Sequence, residues 1–577
     1  MSLLVVAGLS VAVLALGYYF YGGLLARLFR LDAAAATPAH ELRDDVDYIP
    51  TDARYLVGQH FSAIAAAGPI VGPILAGVMF GWLPALIWIL VGAVFIGGVH
   101  DFGALVASVR HKARSIAEVI NEHMTRRSYV LFLAFVWLAI VYIIVVFTDM
   151  VASSFVGMQT LDNGMQVKGG GTATSSMLYL ALPIAMALLM RYAGLGLHWA
   201  TVIFLPLVGV TIWAGQYIPL DLSGALGVGD AGATKVWDVL LLAYCFVASI
   251  VPMWLLLQPR GHLGGYFLFV ALAGGLLGVI LGGNSVQYPS FTNWVTAKGE
   301  PLFPVLFITI ACGACSGFHA LVASGTTSKQ LRTEADARPI AYGSMLLEGL
   351  VAVVSLCCVM MLAPGSAALQ GSPKPNLIYG MGMANFLRVV GIPAAFGISF
   401  ALLAFTTFVY DTLDVSTRLG RYILQELTGW KGRMGRWLAT AVTVGMPLLL
   451  VVTSGKKGPA WQVFWPLFGA SNQLLAALTL IGITVWLAKA YQARWVWLVT
   501  GLPTLWMFAM STWALMRLIL GGLFTPEGQF KWGLPDAPTL IAMVLVALAM
   551  LLLVEMGRVL WSLRGVAVRP EWEITQE

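Results

Sequence analysis

Charge is scarce in this sequence. Asp, Glu, Lys and Arg make up 10% of its 577 residues, where a soluble globular domain carries about 25%. That excludes a chain of this size folded in water, and with it an ordinary cytosolic enzyme, a disordered protein and a nucleic-acid module. Cysteine is scarce too: five residues, all in apolar stretches, leave no disulfide framework. Residues 2–24 lack a basic leading region and a short core followed by a small-residue cleavage site, so they read as a span and not as a signal peptide. No ATP-binding motif is present. Gly169-Gly170-Gly171 is followed by no Lys-Ser/Thr pair and preceded by no strand pattern. Work done by this protein must therefore draw on an ion gradient or a solute gradient, and no cofactor is implied. What abounds is apolar side chain, 59% of the total, with a mean hydropathy of +0.85. The net charge of +6 reads as loop topology, not as affinity for nucleic acid.

A helix needs about 20 largely apolar residues to cross a bilayer. Fifteen stretches qualify, near 2–24, 57–81, 83–109, 129–155, 175–192, 198–217, 236–257, 263–283, 302–323, 340–362, 393–417, 437–454, 460–487, 495–518 and 539–560. The pattern predicts an all-α polytopic membrane protein, a single transmembrane domain over 1–577. Segments 25–56, 363–392 and 418–436 are the ones long enough for structure outside the bilayer. With the N-terminus outside and the C-terminus inside, 24 of the 33 Lys and Arg fall in inside segments, Arg260, Arg564 and Arg569 among them, as the positive-inside tendency requires. Lys456 and Lys457 are the local exception. Trp82, Trp137, Trp237, Trp461 and Trp532, near span ends, fit interfacial anchors.

Two spans are not plain helices. The second contains Gly58-Gln59-His60-Phe61-Ser62 and then Gly68-Pro69-Ile70-Val71-Gly72-Pro73, whose prolines and glycines at membrane depth interrupt a helix. The ninth contains Cys312-Gly313-Ala314-Cys315-Ser316-Gly317-Phe318-His319, a small polar run with the look of an unwound segment. Backbone freed by such a break must be satisfied by protein, water or ligand, and paired interruptions point to a transporter's binding site; a proline kink and a small-residue packing face are the bland alternatives. Five spans follow from each break, 57–217 starting inside and 302–487 starting outside, which resembles the inverted five-plus-five repeat of LeuT-type transporters. The segments 2–24, 236–283 and 495–560 are then extra helices.

The stretches just quoted, with Val99-His100-Asp101-Phe102, Arg114-Ser115-Ile116-Ala117-Glu118, Gln258-Pro259-Arg260, Ser324-Gly325-Thr326-Thr327-Ser328-Lys329-Gln330 and Trp465-Pro466-Leu467-Phe468-Gly469-Ala470-Ser471-Asn472-Gln473-Leu474, closely resemble the carbon starvation protein A family over about residues 45–490. The resemblance implies a secondary transporter similar to the amino acid–polyamine–cation superfamily. Its members are bacterial inner-membrane carriers of peptides and of pyruvate, linked to nutrient starvation.

In such a site an anionic group rests on half-helix N-termini, where N–H groups and the helix dipole favour negative charge. The candidates are the backbone at Gly68, Ile70, Gly72, Gly313, Ser316 and Gly317, with His60 and His319 beside them. Ionisable groups at membrane depth are costly and point to function: Asp149 and Asp411 lead as proton carriers, ahead of Asp101 and Glu348. His100 or Asp101 paired with Arg110 is the structural alternative. Thr406, Thr407 and Ser62 offer oxygens to Na⁺, or bond back to their own helix. Asp414 with Arg418 reads as an ion-paired gate. Cys312, Cys315 and His319 fall on one helix face, but one helix does not present three ligands to one ion, so no metal is expected. The expectation is a proton-coupled importer of short peptides or pyruvate and not an enzyme. A Na⁺-coupled carrier, an uncoupled channel or sensor, and an intramembrane enzyme using Cys312 or Cys315 are the alternatives.

Overall fold

The computed structural model describes residues 2–44, 47–160, 166–369, 374–453, 458–491, 493–525 and 527–562; Lys456, Lys457, Arg564 and Arg569 lie outside them. Among the described residues the chain is almost entirely helical, with one antiparallel ribbon pairing Met158–Thr160 with Gln166–Lys168. Thirteen helices are long and apolar enough to cross a membrane, fourteen when one bent pair is taken as a single span. In chain order the first helices are α1 (Leu3–Leu28), α2 (Ala53–Ile64), α3 (Gly68–Phe80), α4 (Trp82–Arg110), α5 (Ile116–His123) and α6 (Arg126–Ser154). Next come α7 (Gly169–Tyr192), α8 (Leu197–Tyr217), α9 (Gly229–Ile250), α10 (Leu257–Leu281), α11 (Leu302–Thr309), α12 (Phe318–Val322) and α13 (Glu334–Met360). The last are α14 (Pro375–Arg388), α15 (Ala394–Thr428), α16 (Gly432–Thr453), α17 (Ala460–Tyr491), α18 (Arg494–Leu523) and α19 (Ala537–Ser562).

Local chemistry sets the ends. Asp52, Ser115 and Thr125 each accept a backbone N–H in the first turn of α2, α5 and α6, the work of an N-cap. Gly81, at φ +91°, makes the tight turn from α3 to α4. A β-carbon there would lie 2.5 Å from the Ser290 carbonyl oxygen, so glycine is required on both counts. The expected span at 236–257 begins earlier and ends at Ile250, because Val251 precedes Pro252 and takes an extended conformation (ψ 154°). Residues 363–392 hold α14, whose Ile378, Tyr379, Met383 and Phe386 are buried; α15 runs on to Thr428, into the segment expected to be a loop.

Helices α13 and α17 are the centre: 83% of the most apolar window of each is buried, against 28% for α8 and α19, which turn apolar side chains outward. That is the arrangement lipid requires, since apolar surface costs nothing there. Trp82, Trp237 and Trp461 are buried within the protein, which corrects their reading as interfacial anchors: their rings fill gaps between helices. Trp532 is 93% exposed. The connections gather into two sets. On one side Thr51 bridges to Leu331, and Arg110 bonds to Glu334 and to the Phe29 carbonyl. On the other, Ser2 bridges to Ser285, Leu83 N–H donates to the Ser290 carbonyl, and Gln287 N–H donates to the Met360 carbonyl.

Candidate functional site

The two interruptions meet inside the bundle. Ala65 leaves helical geometry (φ −75°, ψ 82°), and α2 and α3 are bent by 51°. Pro69 sits in the first turn of α3, where its missing N–H costs nothing, so the Gly-Pro pair opens the second half-helix and the break precedes it. In the second interruption α11 stops at Thr309 and α12 starts at Phe318, leaving 310–317 without regular helix. The breaks pack against each other. A β-carbon on Gly68 would lie 2.3 Å from Cys312 Sγ, and one on Gly72 would lie 2.4 Å from the Thr309 carbonyl oxygen. Gly313 is close to Ala352, and Gly317 to the backbone of Asn472 and Ala476. In the conformation described, the glycines expected to cradle a ligand therefore cradle protein. Ile70 donates its N–H to Ala67 within the first turn of α3.

Asn472 of α17 replaces a local cap on α12. Its carbonyl accepts the Gly317 N–H at 3.1 Å and its Oδ1 accepts the Phe318 N–H at 3.1 Å, while its Nδ2 donates to Ser316 Oγ at 2.9 Å. Beside it, Gln473 Nε2 donates to the Phe307 carbonyl at 2.6 Å. Orphan N–H groups at a helix start are thus satisfied from a neighbouring helix.

Below this strap lies a buried chain of imidazoles and carboxylates. His319 of α12 places Nδ1 2.8 Å from Asp101 Oδ2 on α4, and Nε2 3.0 Å from Glu348 Oε2 on α13. The second contact is a close charge contact, off the line of a good hydrogen bond. Asp101 Oδ1 also receives His100 Nδ1 at 2.8 Å. His60 of α2 bonds through Nδ1 to Thr327 Oγ1 at 2.8 Å, within electrostatic reach of Asp101 and His319. All of these acids and histidines are at most 1% exposed. With His319 protonated and the other rings neutral, two carboxylates face one cation, so one further proton brings the cluster to neutrality. Buried charge is costly unless balanced, which gives the cluster reason to take that proton. Arg110 takes no part; it pairs with Glu334, Nε to Oε1 at 2.6 Å.

Asp411 and Asp414, one turn apart on α15, share Arg260 of α10. Its Nε lies 2.7 Å from Asp411 Oδ1 and its Nη1 2.5 Å from Asp414 Oδ2, and Nη2 donates to the Tyr410 carbonyl at 3.0 Å. Tyr244 of α9 donates to Asp414 Oδ2 at 2.9 Å, and Ser62 Oγ is 3.4 Å from Asp411 Oδ2. Arg260 was expected in an inside loop; it is instead 1% exposed, because the Pro252 break starts α10 early and draws the guanidinium into the bundle. The expected pair of Asp414 with Arg418 is replaced as well. Arg418 donates to the Ala248 and Val251 carbonyls at 2.7 and 2.8 Å, the end of α9, where unsatisfied carbonyls attract a cation. Asp149 accepts the Trp461 N–H at 2.8 Å in the first turn of α17 and lies beside Asp238 of α9. Thr406 bonds back to the Leu403 carbonyl and to Ser176, and Thr407 is buried near Tyr179. Cys312, Cys315 and His319 do not converge, since both His319 nitrogens face carboxylates.

The structure thus draws His60, Asp101, His319 and Glu348 into one cluster and leaves Asp149 and Asp411 in two others. Arg260, Tyr244, Asp238 and Asn472 escaped functional notice. Asp238 and Tyr244 lie on α9 and Arg260 on α10, within the 236–283 insertion that had no assigned role. Arg260 and Asn472 stand in quoted motifs, the one signal that marked them.

The family profile described as carbon starvation protein CstA matches residues 1–375 and 365–514. The chain is similar to a Helicobacter pylori protein named peptide transporter CstA, at 32% identity over 87% of this chain and 80% of that one. It is similar to the Escherichia coli pyruvate/proton symporter BtsT, at 32% identity over 92% of this chain and 85% of that one. Among solved structures, a mutant of the Eremococcus coleocola manganese transporter is similar at 14% identity with a TM-score of 0.46, over 90% of this chain and 99% of that one.

Proposed function

Because the chain belongs to the carbon starvation protein CstA family, we propose that it imports pyruvate or a short peptide, in symport with protons, across the bacterial inner membrane during nutrient limitation. Relatives named as a peptide transporter and as a pyruvate/proton symporter support the substrate class and the coupling ion. The observation that carries the residue assignment is His319, which stands just past an interruption and bridges acids on two other spans. Asp101 and Glu348 tie α12 to α4 and α13. A proton on Glu348 weakens one tie, so the charge state of the cluster and the position of the half-helix are linked. Solute carboxylate binds where the two interruptions separate, at the backbone of Gly68, Ile70 and Gly72 and of Gly313, Ser316 and Gly317. Asp411 shares Arg260 with Asp414, and Arg418 acts on that pair as a second cation, so two cations face two carboxylates there and Asp411 ranks behind Glu348.

The order of elements supports an inverted repeat. An interrupted helix, a long span, a short helix (α5 or α14), and a span carrying a buried acid (Asp149 or Asp411) occur in each half. An odd number of spans sets the termini on opposite sides, and the excess of Lys and Arg in alternate loops favours an outside N-terminus and a cytoplasmic C-terminus. The test is uptake of labelled pyruvate and of di- and tripeptides into proteoliposomes under an imposed pH or Na⁺ gradient. A pH gradient is expected to drive accumulation; accumulation driven by Na⁺ alone, or by neither, refutes proton symport. Glu348→Gln keeps size and hydrogen bonding but holds no exchangeable charge. It is expected to lose pH-driven accumulation while retaining exchange of labelled for unlabelled solute, and unchanged pH-driven uptake would remove Glu348 as the carrier.

A further inference from the structure

We infer that His111, His123 and Glu122 form a binding site for a divalent transition metal of the zinc class, outside the membrane spans and apart from the transport cluster. The three residues lie between the end of α4 and the start of α6. Lys112 and Ala113 take positive φ (58° and 54°) and fold the chain back, so that His111 Nε2 comes within 2.7 Å of His123 Nε2. The Glu122 carboxylate completes a set of three donors, all within 4.8 Å of one another. Both rings are nearly buried, while the Glu122 side chain is 48% exposed and gives an ion a way in.

The tautomer fits a ligand. His111 Nδ1 sits 2.6 Å from the Ala107 carbonyl, which only accepts, so Nδ1 carries the proton and Nε2 presents its lone pair. A carbonyl holding the far nitrogen is the usual outer support of a metal-bound histidine. His123 Nε2–H bridges to that lone pair, and Glu122 rests on Arg114 at 3.3 Å. Two imidazoles and a carboxylate, with a fourth position open to water, suit zinc; around a tetrahedral ion at 2.0–2.1 Å the two nitrogens separate to roughly 3.3 Å, a small opening of the present contact. The site touches α17: Trp486 meets the His111 ring edge-on, and Lys489 donates to the His123 carbonyl at 2.6 Å. An ion bound here therefore fastens the α4–α5 turn against the helix that straps the interruption.

The test uses the full chain in detergent, stripped with chelator, then titrated with zinc chloride or with magnesium chloride as the hard-ion control. Metal is counted by elemental analysis and stability read as Tm. About one zinc per chain and a raised Tm are expected with zinc and neither with magnesium. Glu122→Ala, at an exposed position, leaves the fold intact and is expected to weaken zinc binding at least as much as loss of an outer support does, about 10–100-fold; His123→Gln is expected to abolish the zinc-dependent rise in Tm. Zinc affinity unchanged in Glu122→Ala, a Tm rise unchanged in His123→Gln, or no zinc retained by the parent chain would overturn the assignment.

Discussion

Arg260 is the residue whose loss is expected to cost most. It is the guanidinium that both Asp411 and Asp414 contact, at 2.7 and 2.5 Å, and it is 1% exposed. Removing one partner of a buried pair leaves uncompensated charge and costs about 3–5 kcal/mol, whereas replacing all partners by uncharged groups is often neutral. Arg260→Met is therefore expected to give poorly folded protein. The triple variant Arg260→Met, Asp411→Asn, Asp414→Asn is expected to recover a monodisperse peak and most of the parent Tm. If Arg260→Met alone matches the parent, the cluster does not hold the bundle together. If the triple variant folds and still shows pH-driven uptake, Asp411 is not needed as a proton carrier. The acids were legible in the sequence because a carboxylate within an apolar run is conspicuous. Their partner was not: Arg260 stands near a span boundary, and a shift of a few residues there separates a loop cation from a buried one.

At the scale of the element, the interruptions were legible because proline and glycine act on the backbone locally, whatever surrounds them. What they face was not, since that depends on packing between halves hundreds of residues apart. Gly72 shows the difference. Read from sequence it is a place for a ligand to approach the backbone; in the structure that space is taken by the Thr309 carbonyl, 2.4 Å from where a β-carbon would stand. Gly72→Ala must push α3 and α11 apart against buried backbone. Overpacking of this kind costs about 1–3 kcal/mol, so a lowered Tm together with reduced uptake is expected. Gly209→Ala, in α8 with nothing within 4 Å of the added carbon, is the matched control and is expected to leave both unchanged. Equal Tm in the two variants would show that the interruptions do not pack as described. The Asn472 strap was illegible for a related reason, since nothing local says that an amide on α17 caps a half-helix more than 150 residues earlier.

For the whole molecule, the side of the membrane that each loop occupies is read from where the few basic residues fall. The contacts of Arg110 with Glu334 and Phe29, and of Ser2 with Ser285, divide the connections into two faces but do not by themselves say which faces the cytoplasm; the basic loops supply that reading. The burial of Arg260 removes one cation from the count without altering its direction. Since the five native cysteines are all buried, an impermeant thiol reagent has a quiet background in intact cells. A cysteine replacing the exposed Lys298, in the connection between α10 and α11, is expected to be labelled in intact cells. One replacing the exposed Lys431, between α15 and α16, is expected to be labelled only after permeabilisation. If the interrupted helix 302–327 crosses as α13 and α15 do, three crossings lie between these positions, and α10 and α16 flank them. Three crossings put the two cysteines on opposite sides. Labelling of both in intact cells would mean that the interrupted helix turns back without crossing, and labelling of Lys431→Cys alone would invert the whole topology.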